Sequence, residues 1–122
     1  MSEPLKALEA ARLVVDEINA VLDRSRRPLL YDIQLRKSAD SITSNIRESL
    51  GRREGRERNQ FLRYAKGSAE ETDEHLRGNF VAGRLSEPQY WRLHNRLVVI
   101  IRMLDRMMQT TRSGDNVSKQ RL

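Results

Sequence analysis

The sequence contains no cysteine, and this absence excludes disulfides, cysteine zinc ligands and cysteine nucleophiles. Only six of the 122 residues are aromatic, which argues against a β-sandwich and against an RNA-recognition sheet built on stacked rings. No apolar run approaches the length of a membrane span, since the longest, residues 97–101, has five residues. The first residues lack the basic and apolar pattern of a secretory signal, so the sequence predicts a cytoplasmic protein without a membrane segment.

Charged residues, in contrast, are abundant. There are 23 basic and 17 acidic residues, which give a formal net charge of +6. A small basic protein tends to bind polyanions, so the composition favours nucleic acid or an acidic protein surface as a partner. The length of 122 residues indicates one domain.

Apolar residues recur at helical spacing in four stretches, which predicts an all-α fold. The helices are expected at about 4–25, 29–50, 57–82 and 87–109, with Gly83 as a stop signal and Ser86 as a cap. The connections are short, so neighbouring helices should be antiparallel. The sequence therefore predicts an up-down-up-down four-helix bundle over residues 1–109, followed by a flexible tail at 110–122.

Some residues of the predicted helices carry more specific expectations. Ile33 is placed on the apolar side of the second helix. Gly67 costs about 1 kcal/mol relative to alanine inside a helix, and we interpret it as a point of close packing. The run at 97–101 is apolar all round, which fits either a central helix or a helix at a subunit interface. The second helix also has many small hydroxyl residues, which predict close approach of a neighbouring helix: Ser38, Ser41, Thr43 and Ser44.

Catalytic and metal-binding patterns are weak in this sequence. The only histidines are His75 and His94, and neither has a glutamate three residues before it, as a di-metal bundle requires. Glu48 and Glu71 could do acid–base work, but pairing with arginines is the simpler interpretation. Gly51 and Gly55 do not form a phosphate-binding loop, because the Gly-Lys-Ser/Thr ending is missing. We therefore expect no catalytic residue, metal or cofactor, and no enzyme.

Basic residues concentrate around the turn between the second and third helices, where residues 47–66 hold seven basic and three acidic residues. Arginine suits bidentate contacts with phosphate, so this segment is a candidate nucleic-acid-binding site. The alternative is an ordinary solvated surface, because glutamates are interspersed with the arginines. The absence of a recognition-helix motif argues against sequence-specific reading of duplex DNA. The candidate residues are Arg47, Arg52, Arg53, Arg56, Arg58, Arg63 and Lys66 around this turn, with Arg26 and Arg27 in the turn between the first and second helices.

The centre of the chain also resembles a known family. The pattern is Ser41-Ile42-x-Ser44-Asn45-Ile46-x-Glu48, then Gly51-Arg52, then Phe61-Leu62-x-x-Ala65-x-Gly67-Ser68-x-x-Glu71. It is similar to the signature of the four-helix-bundle proteins first noticed in intervening sequences of bacterial 23S ribosomal RNA genes. The family pattern often has a glycine directly after the glutamate, whereas this sequence has Ser49 and Leu50 before Gly51. The resemblance extends weakly over about residues 5 to 109 and implies a four-helix bundle.

The resemblance also implies a function. Relatives of this family, including the accessory proteins of diversity-generating retroelements, are similar bundles that assemble into ring-like homopentamers. Those accessory proteins bind nucleic acid and associate with a reverse transcriptase. By this resemblance the chain is expected to be a non-enzymatic, oligomeric protein that binds RNA or structured nucleic acid by its phosphate backbone, with low sequence specificity. The alternative is a protein-interaction scaffold that docks a partner such as a reverse transcriptase.

Overall fold

The four predicted helices form a closed antiparallel bundle. The computed structural model describes residues 2–121, and of these the side chains of residues 2–109. The helices are α1 (Glu3–Arg24), α2 (Asp32–Leu50), α3 (Arg56–Val81) and α4 (Glu87–Arg121), and no strand occurs in the described residues. Each helix packs against its neighbours in sequence, and α1 packs against α4. The prediction of an all-α up-down-up-down bundle is confirmed. The helix α4 continues to Arg121, whereas the sequence predicted its end near residue 109, and the flexibility expected of 110–122 stays a prediction.

The apolar stripes of the four helices meet in one core. The largest buried side chain is Tyr90 of α4, and Leu35 and Ile42 of α2, Leu62 of α3 and Ile18 of α1 are also buried. Burying such side chains contributes about 1.5–3 kcal/mol each. Among the described helices, none is long and apolar enough to span a bilayer.

The start of α2 corrects the sequence prediction, since the helix begins at Asp32 and not near residue 29. The reason is a contact between distant parts of the chain. The Leu30 N–H donates to Oδ1 of buried Asn79 at 2.6 Å, and Asn79 Nδ2 donates back to the Leu30 carbonyl at 3.0 Å. Tyr31 then takes a left-handed conformation with φ 60, which residues other than glycine rarely adopt. The helix therefore starts late, and Ile33, predicted for the apolar side, is 74% exposed.

The turn after α3 shows which turns lie at the same end of the bundle. Gly83 has φ 72, and the Gly83 and Arg84 N–H groups donate to the Phe80 and Asn79 carbonyls in a Schellman motif that ends α3. Arg84 Nη1 donates to the Pro28 carbonyl at 2.7 Å. The α1–α2 and α3–α4 turns therefore lie at one end of the bundle, and the α2–α3 turn lies at the other.

The seam between α2 and α3 is held by hydroxyl groups. Thr72 Oγ1 donates to Ser38 Oγ at 2.8 Å, and Ser68 Oγ donates to Ser41 Oγ at 2.8 Å. Asn45 Nδ2 also donates to Ser41 Oγ at 2.9 Å. Of the four hydroxyl residues from which the sequence predicted close packing, Ser38 and Ser41 therefore lie in this seam, whereas Thr43 and Ser44 donate to the Asp40 carbonyl of their own helix.

Gly67 does not belong to this close packing, so that interpretation of the sequence was wrong. It lies on the exposed side of α3, and a Cβ added there would meet nothing within 4 Å. The side chain that bridges the two helices belongs to the next residue, Ser68.

Candidate nucleic-acid interface

The structure gathers most of the candidate cations around the α2–α3 turn. The last turn of α2, the turn itself and the first three turns of α3 carry them, and Gly51 and Gly55 flank the turn as the caps of the two helices. Gly55 has φ 137, a backbone conformation that favours glycine. We call this surface the α2–α3 end; its basic residues are Arg47, Arg52, Arg53, Arg56, Arg58, Arg63 and Lys66.

Arg52 is committed to the fold of the turn. Its guanidinium lies 3.5 Å from a Glu48 carboxylate oxygen and 3.4 Å from one of Glu57, so it links α2 to α3. It also lies over the Phe61 ring, 5.3 Å from the ring centre. Exposed ion pairs contribute about 0–1 kcal/mol each, and a cation–π contact contributes a similar amount. Arg52 therefore acts first as a brace for the turn, as the sequence suggested for Glu48.

Arg58 and Lys66 are also engaged by carboxylates. Arg58 is largely buried and lies 3.6 Å from a Glu54 oxygen. Lys66 Nζ lies 3.0 Å from an Asp105 oxygen, which ties α3 to α4. Both charges are compensated within the subunit, so a phosphate would have to compete with a carboxylate for them.

The remaining cations of the α2–α3 end are available. Arg47, Arg53 and Arg56 are exposed and have no ion-pair partner among the side chains that the structure describes. Arg63 is exposed and donates to Gln60 Oε1 at 2.8 Å, a neutral partner. Arg56 is the first residue of α3, where the helix dipole already makes the potential positive. A cation at this place is unfavourable for the helix and favourable for an anion that binds there.

Arg26 and Arg27 lie at the opposite end of the bundle. Both are exposed and lack an ion-pair partner within residues 2–109. Nearby Arg36 is not available, because it donates to Asp32 and Asp23 at 2.8 Å each. The hydrogen bond to Asp32, and then that to Asp23, raises the pKa of Arg36 above its ordinary value. The structure thus does not bring the two basic regions together within one subunit.

Sequence reasoning missed one polar cluster, between α3 and α4. His94 Nδ1 lies 2.8 Å from Asp73 Oδ1 and 3.5 Å from the Tyr90 hydroxyl. Arg77 Nε donates to the same hydroxyl at 3.4 Å, and this bond is the main cause that raises the pKa of Arg77. Asp73 lies on α3 and His94 on α4, so no local pattern in the sequence could reveal this pair. Glu71, weighed above as an acid–base candidate, lies 3.5 Å from His75 Nε2, and the described residues contain no group of three potential metal ligands.

Comparisons with known proteins agree with this architecture. The model of the family described as 23S rRNA-intervening sequence protein matches residues 3–106. No curated protein matches the chain. A crystal structure of a protein with unknown function from the S23 ribosomal protein family of Bacteroides thetaiotaomicron superposes with a TM-score of 0.71. It is 23% identical, and the match covers 88% of this chain and 98% of that one. The similarity in structure supports the fold alone.

Proposed function

Because the chain belongs to the 23S rRNA-intervening sequence protein family, we propose that it is a non-enzymatic, oligomeric protein of the cytoplasm that binds nucleic acid, with RNA or structured nucleic acid as its ligand. The observation that carries the proposal is the set of exposed arginines at the α2–α3 end that have no carboxylate partner in the described part of the chain: Arg47, Arg53 and Arg56. At this end the exposed Arg52 pairs with carboxylates, whereas these three arginines, together with Arg63 on its neutral partner Gln60, are left for an external anion.

The mechanism is electrostatic. Each arginine that contacts a phosphate releases about one counterion, and the released ions supply much of the binding free energy. Arginine contacts with phosphates position the ligand and carry no sequence information. Low sequence specificity follows from this kind of contact, with Arg26 and Arg27 as a second set of phosphate ligands at the other end of the bundle.

The first test is a titration of fluorescent RNA at two salt concentrations. If four arginines contact phosphates, the slope of log K against log salt should be about −3 for a single strand and about −4 for a duplex. We therefore expect binding to weaken about 50-fold for a single strand and about 150-fold for a duplex between 50 and 200 mM salt. An absence of binding at low salt, on correctly folded protein, would exclude this function.

The α1–α4 face supports the proposal that the chain assembles with itself. Glu17 of α1 lies 3.0 Å from Arg96 of α4 and 3.4 Å from Arg92. One turn along each helix from the Glu17–Arg96 pair, Leu13 is 53% exposed and Val99 is 52% exposed. The antiparallel register places these two apolar side chains beside each other on the outer surface. We propose this face as a subunit interface of a homopentamer, the number five being taken from the family resemblance.

The interface can be tested by light scattering. The double variant Leu13→Glu, Val99→Glu should shift the particle to the mass of a monomer, because two buried carboxylates per subunit would have to lose their hydration at the interface. The matched control is Ile33→Glu, an apolar residue on the outer side of α2 that is 74% exposed. Retention of the oligomer by the double variant, or its loss in the control alone, would place the interface elsewhere.

One observation favours the alternative of a protein-interaction scaffold. The exposed side of α3 carries Glu70, Glu71 and Glu74 next to Gly67, where there is open space for a partner to approach the backbone. An acidic surface of this kind fits a basic protein, such as a reverse transcriptase bound to nucleic acid. Stoichiometric capture of one protein after nuclease treatment, lost in Glu70→Lys, Glu74→Lys, would support the scaffold.

A further inference from the structure

Tyr64 is a half-exposed ring on α3, within the segment that carries the available arginines. Its side chain is 51% exposed, and the residue before it is the exposed Arg63. A half-exposed ring that is not part of the buried core offers a surface on which a planar ligand can stack. Since every nucleobase has an aromatic face, such a ring binds unpaired bases with little sequence preference.

The ring is held in position by its neighbours. Gln60 Nε2 donates to the Tyr64 hydroxyl at 2.5 Å, and Gln60 Oε1 accepts from Arg63 Nη2 at 2.8 Å. The Phe61 ring lies 6.2 Å away at an interplanar angle of 83°, so it supports Tyr64 edgewise and does not stack on it. A ring fixed by a hydrogen bond and an edgewise contact loses little conformational entropy when a base stacks on it.

The surrounding charges favour a phosphate chain at this ring. All three carboxylates of this region are paired: Glu48 and Glu57 with Arg52, and Glu54 with Arg58. Arg63 is linked to Tyr64 through Gln60, and Arg56 lies two helical turns before Arg63 on the same exposed side of α3. The ring therefore lies in a segment with available cations whose carboxylates are compensated.

The other exposed rings have different surroundings. Trp91 makes edgewise contacts with both Tyr90 and His94. Tyr31 lies over His75 with ring centres 5.4 Å apart. Trp91 is thus engaged by rings of its own helix α4 and Tyr31 by a ring of α3, and both lie far from the α2–α3 end.

We propose, on the basis of the function proposed above, that the α2–α3 end binds unpaired nucleotides, with one base stacked on Tyr64 and the adjoining phosphates on Arg63 and Arg56. Bases inside a duplex are covered by their neighbours on both faces and cannot stack on a protein side chain unless they are extruded. The ligand class is therefore single-stranded RNA, or the loops and ends of structured RNA, in preference to continuous duplex.

The test compares a single-stranded RNA with a blunt RNA duplex of the same length by fluorescence anisotropy across a salt series. Tyr64→Ala should weaken binding of the single strand about tenfold, since the stacking of one base is lost, and should leave duplex binding unchanged. The slope of log K against log salt should stay the same, because no phosphate contact is lost. Tyr64→Phe keeps the stacking ring but loses the hydrogen bond from Gln60, so it should retain most of the single-strand affinity, and Tyr31→Ala serves as the control for an exposed tyrosine at the other end.

The outcomes separate this proposal from the one on which it rests. If the natural protein binds single strands and duplex equally and Tyr64→Ala changes neither, nucleic-acid binding stands and the stacking site is excluded. An equal loss on both ligands, or a changed salt slope, would mean that the substitution disturbs the arginines and would also overturn stacking. If no RNA binds to the natural protein, the function proposed above has failed and the stacking proposal fails with it.

Discussion

The triple variant Arg47→Glu, Arg53→Glu, Arg56→Glu is expected to bind RNA about 100-fold more weakly than the natural protein at 0.1 M salt. The estimate follows from counterion release, because each phosphate contact with a single strand releases about 0.7 ions and three lost contacts remove about two of them. The association constant then falls by about the square of the inverse molar salt concentration, which is about 100-fold at 0.1 M salt. The slope of log K against log salt should fall by about two in the same experiment. Anisotropy titration over a salt series measures both quantities.

The choice of these three arginines depends on the structure. Arg52 would be a poor target, because its substitution breaks the contacts with Glu48, Glu57 and Phe61 and could weaken binding through the fold of the turn. Arg47, Arg53 and Arg56 make no ion pair within the described residues, so their replacement should leave the helical circular dichroism and the unfolding midpoint nearly unchanged.

A matched control separates local contacts from net charge. The variant Arg12→Glu, Lys37→Glu, Arg102→Glu has the same change in net charge, and its three residues are exposed on the sides of the bundle. We expect this control to lose much less affinity than the variant at the α2–α3 end. Equal losses would mean that RNA responds to the total charge of the protein, and the α2–α3 end would then not be the binding site.

The general architecture could be predicted from the sequence because it depends on local periodicity. Leu35, Ile42 and Ile46 follow one face of α2, and Leu93, Leu97 and Ile100 follow one face of α4, and all are buried as expected. Such stripes are properties of single helices, so they can be recognised without knowing what they pack against.

Features that depend on contacts between distant residues could not be predicted in this way. Whether an arginine is available depends on carboxylates that the fold brings near it: Lys66 pairs with Asp105 on another helix, whereas Arg56 has no such partner in the part of the chain described. Gly67 illustrates the same limit, since only the three-dimensional arrangement shows that its neighbourhood is open. The sequence therefore predicted the region of the candidate site, and the structure separates its paired cations from those that remain available.

The family signature itself lies mainly in the seam between α2 and α3. Ser41, Asn45 and Ser68 are joined by hydrogen bonds there, and Glu48 braces the turn through Arg52. These residues explain how two helices can pack closely, and they are not the arginines left free for a ligand. The residues of the family signature thus account for the fold, and the nature of the ligand has to be inferred from the exposed residues of the α2–α3 end.

The contact between Asn79 and Leu30 leads to the prediction with the largest effect on stability. Asn79 is fully buried, and its amide satisfies both backbone groups of Leu30 and also donates to the His75 carbonyl at 2.9 Å. Asn79→Leu keeps the number of side-chain heavy atoms and the branching but has no polar atoms, so it would leave these groups without partners. Each unsatisfied buried group costs about 1–3 kcal/mol, and we expect the free energy of unfolding to fall by about 3 kcal/mol in a urea titration.

The position of Asn79 could have been flagged from the sequence, because it comes three residues after Leu76 on the buried side of α3, where a polar side chain requires a partner. What the sequence could not show is that the partner is a backbone segment 49 residues away.

Asn79→Asp provides a second test: a carboxylate can accept from the Leu30 N–H but cannot donate to its carbonyl, so a loss of similar size is expected. Asn95→Leu, at an exposed position of α4, should change the stability by less than about 0.5 kcal/mol. If Asn79→Leu unfolds at the same urea concentration as the natural protein, the amide does not hold the α1–α2 turn, and the late start of α2 must have another cause.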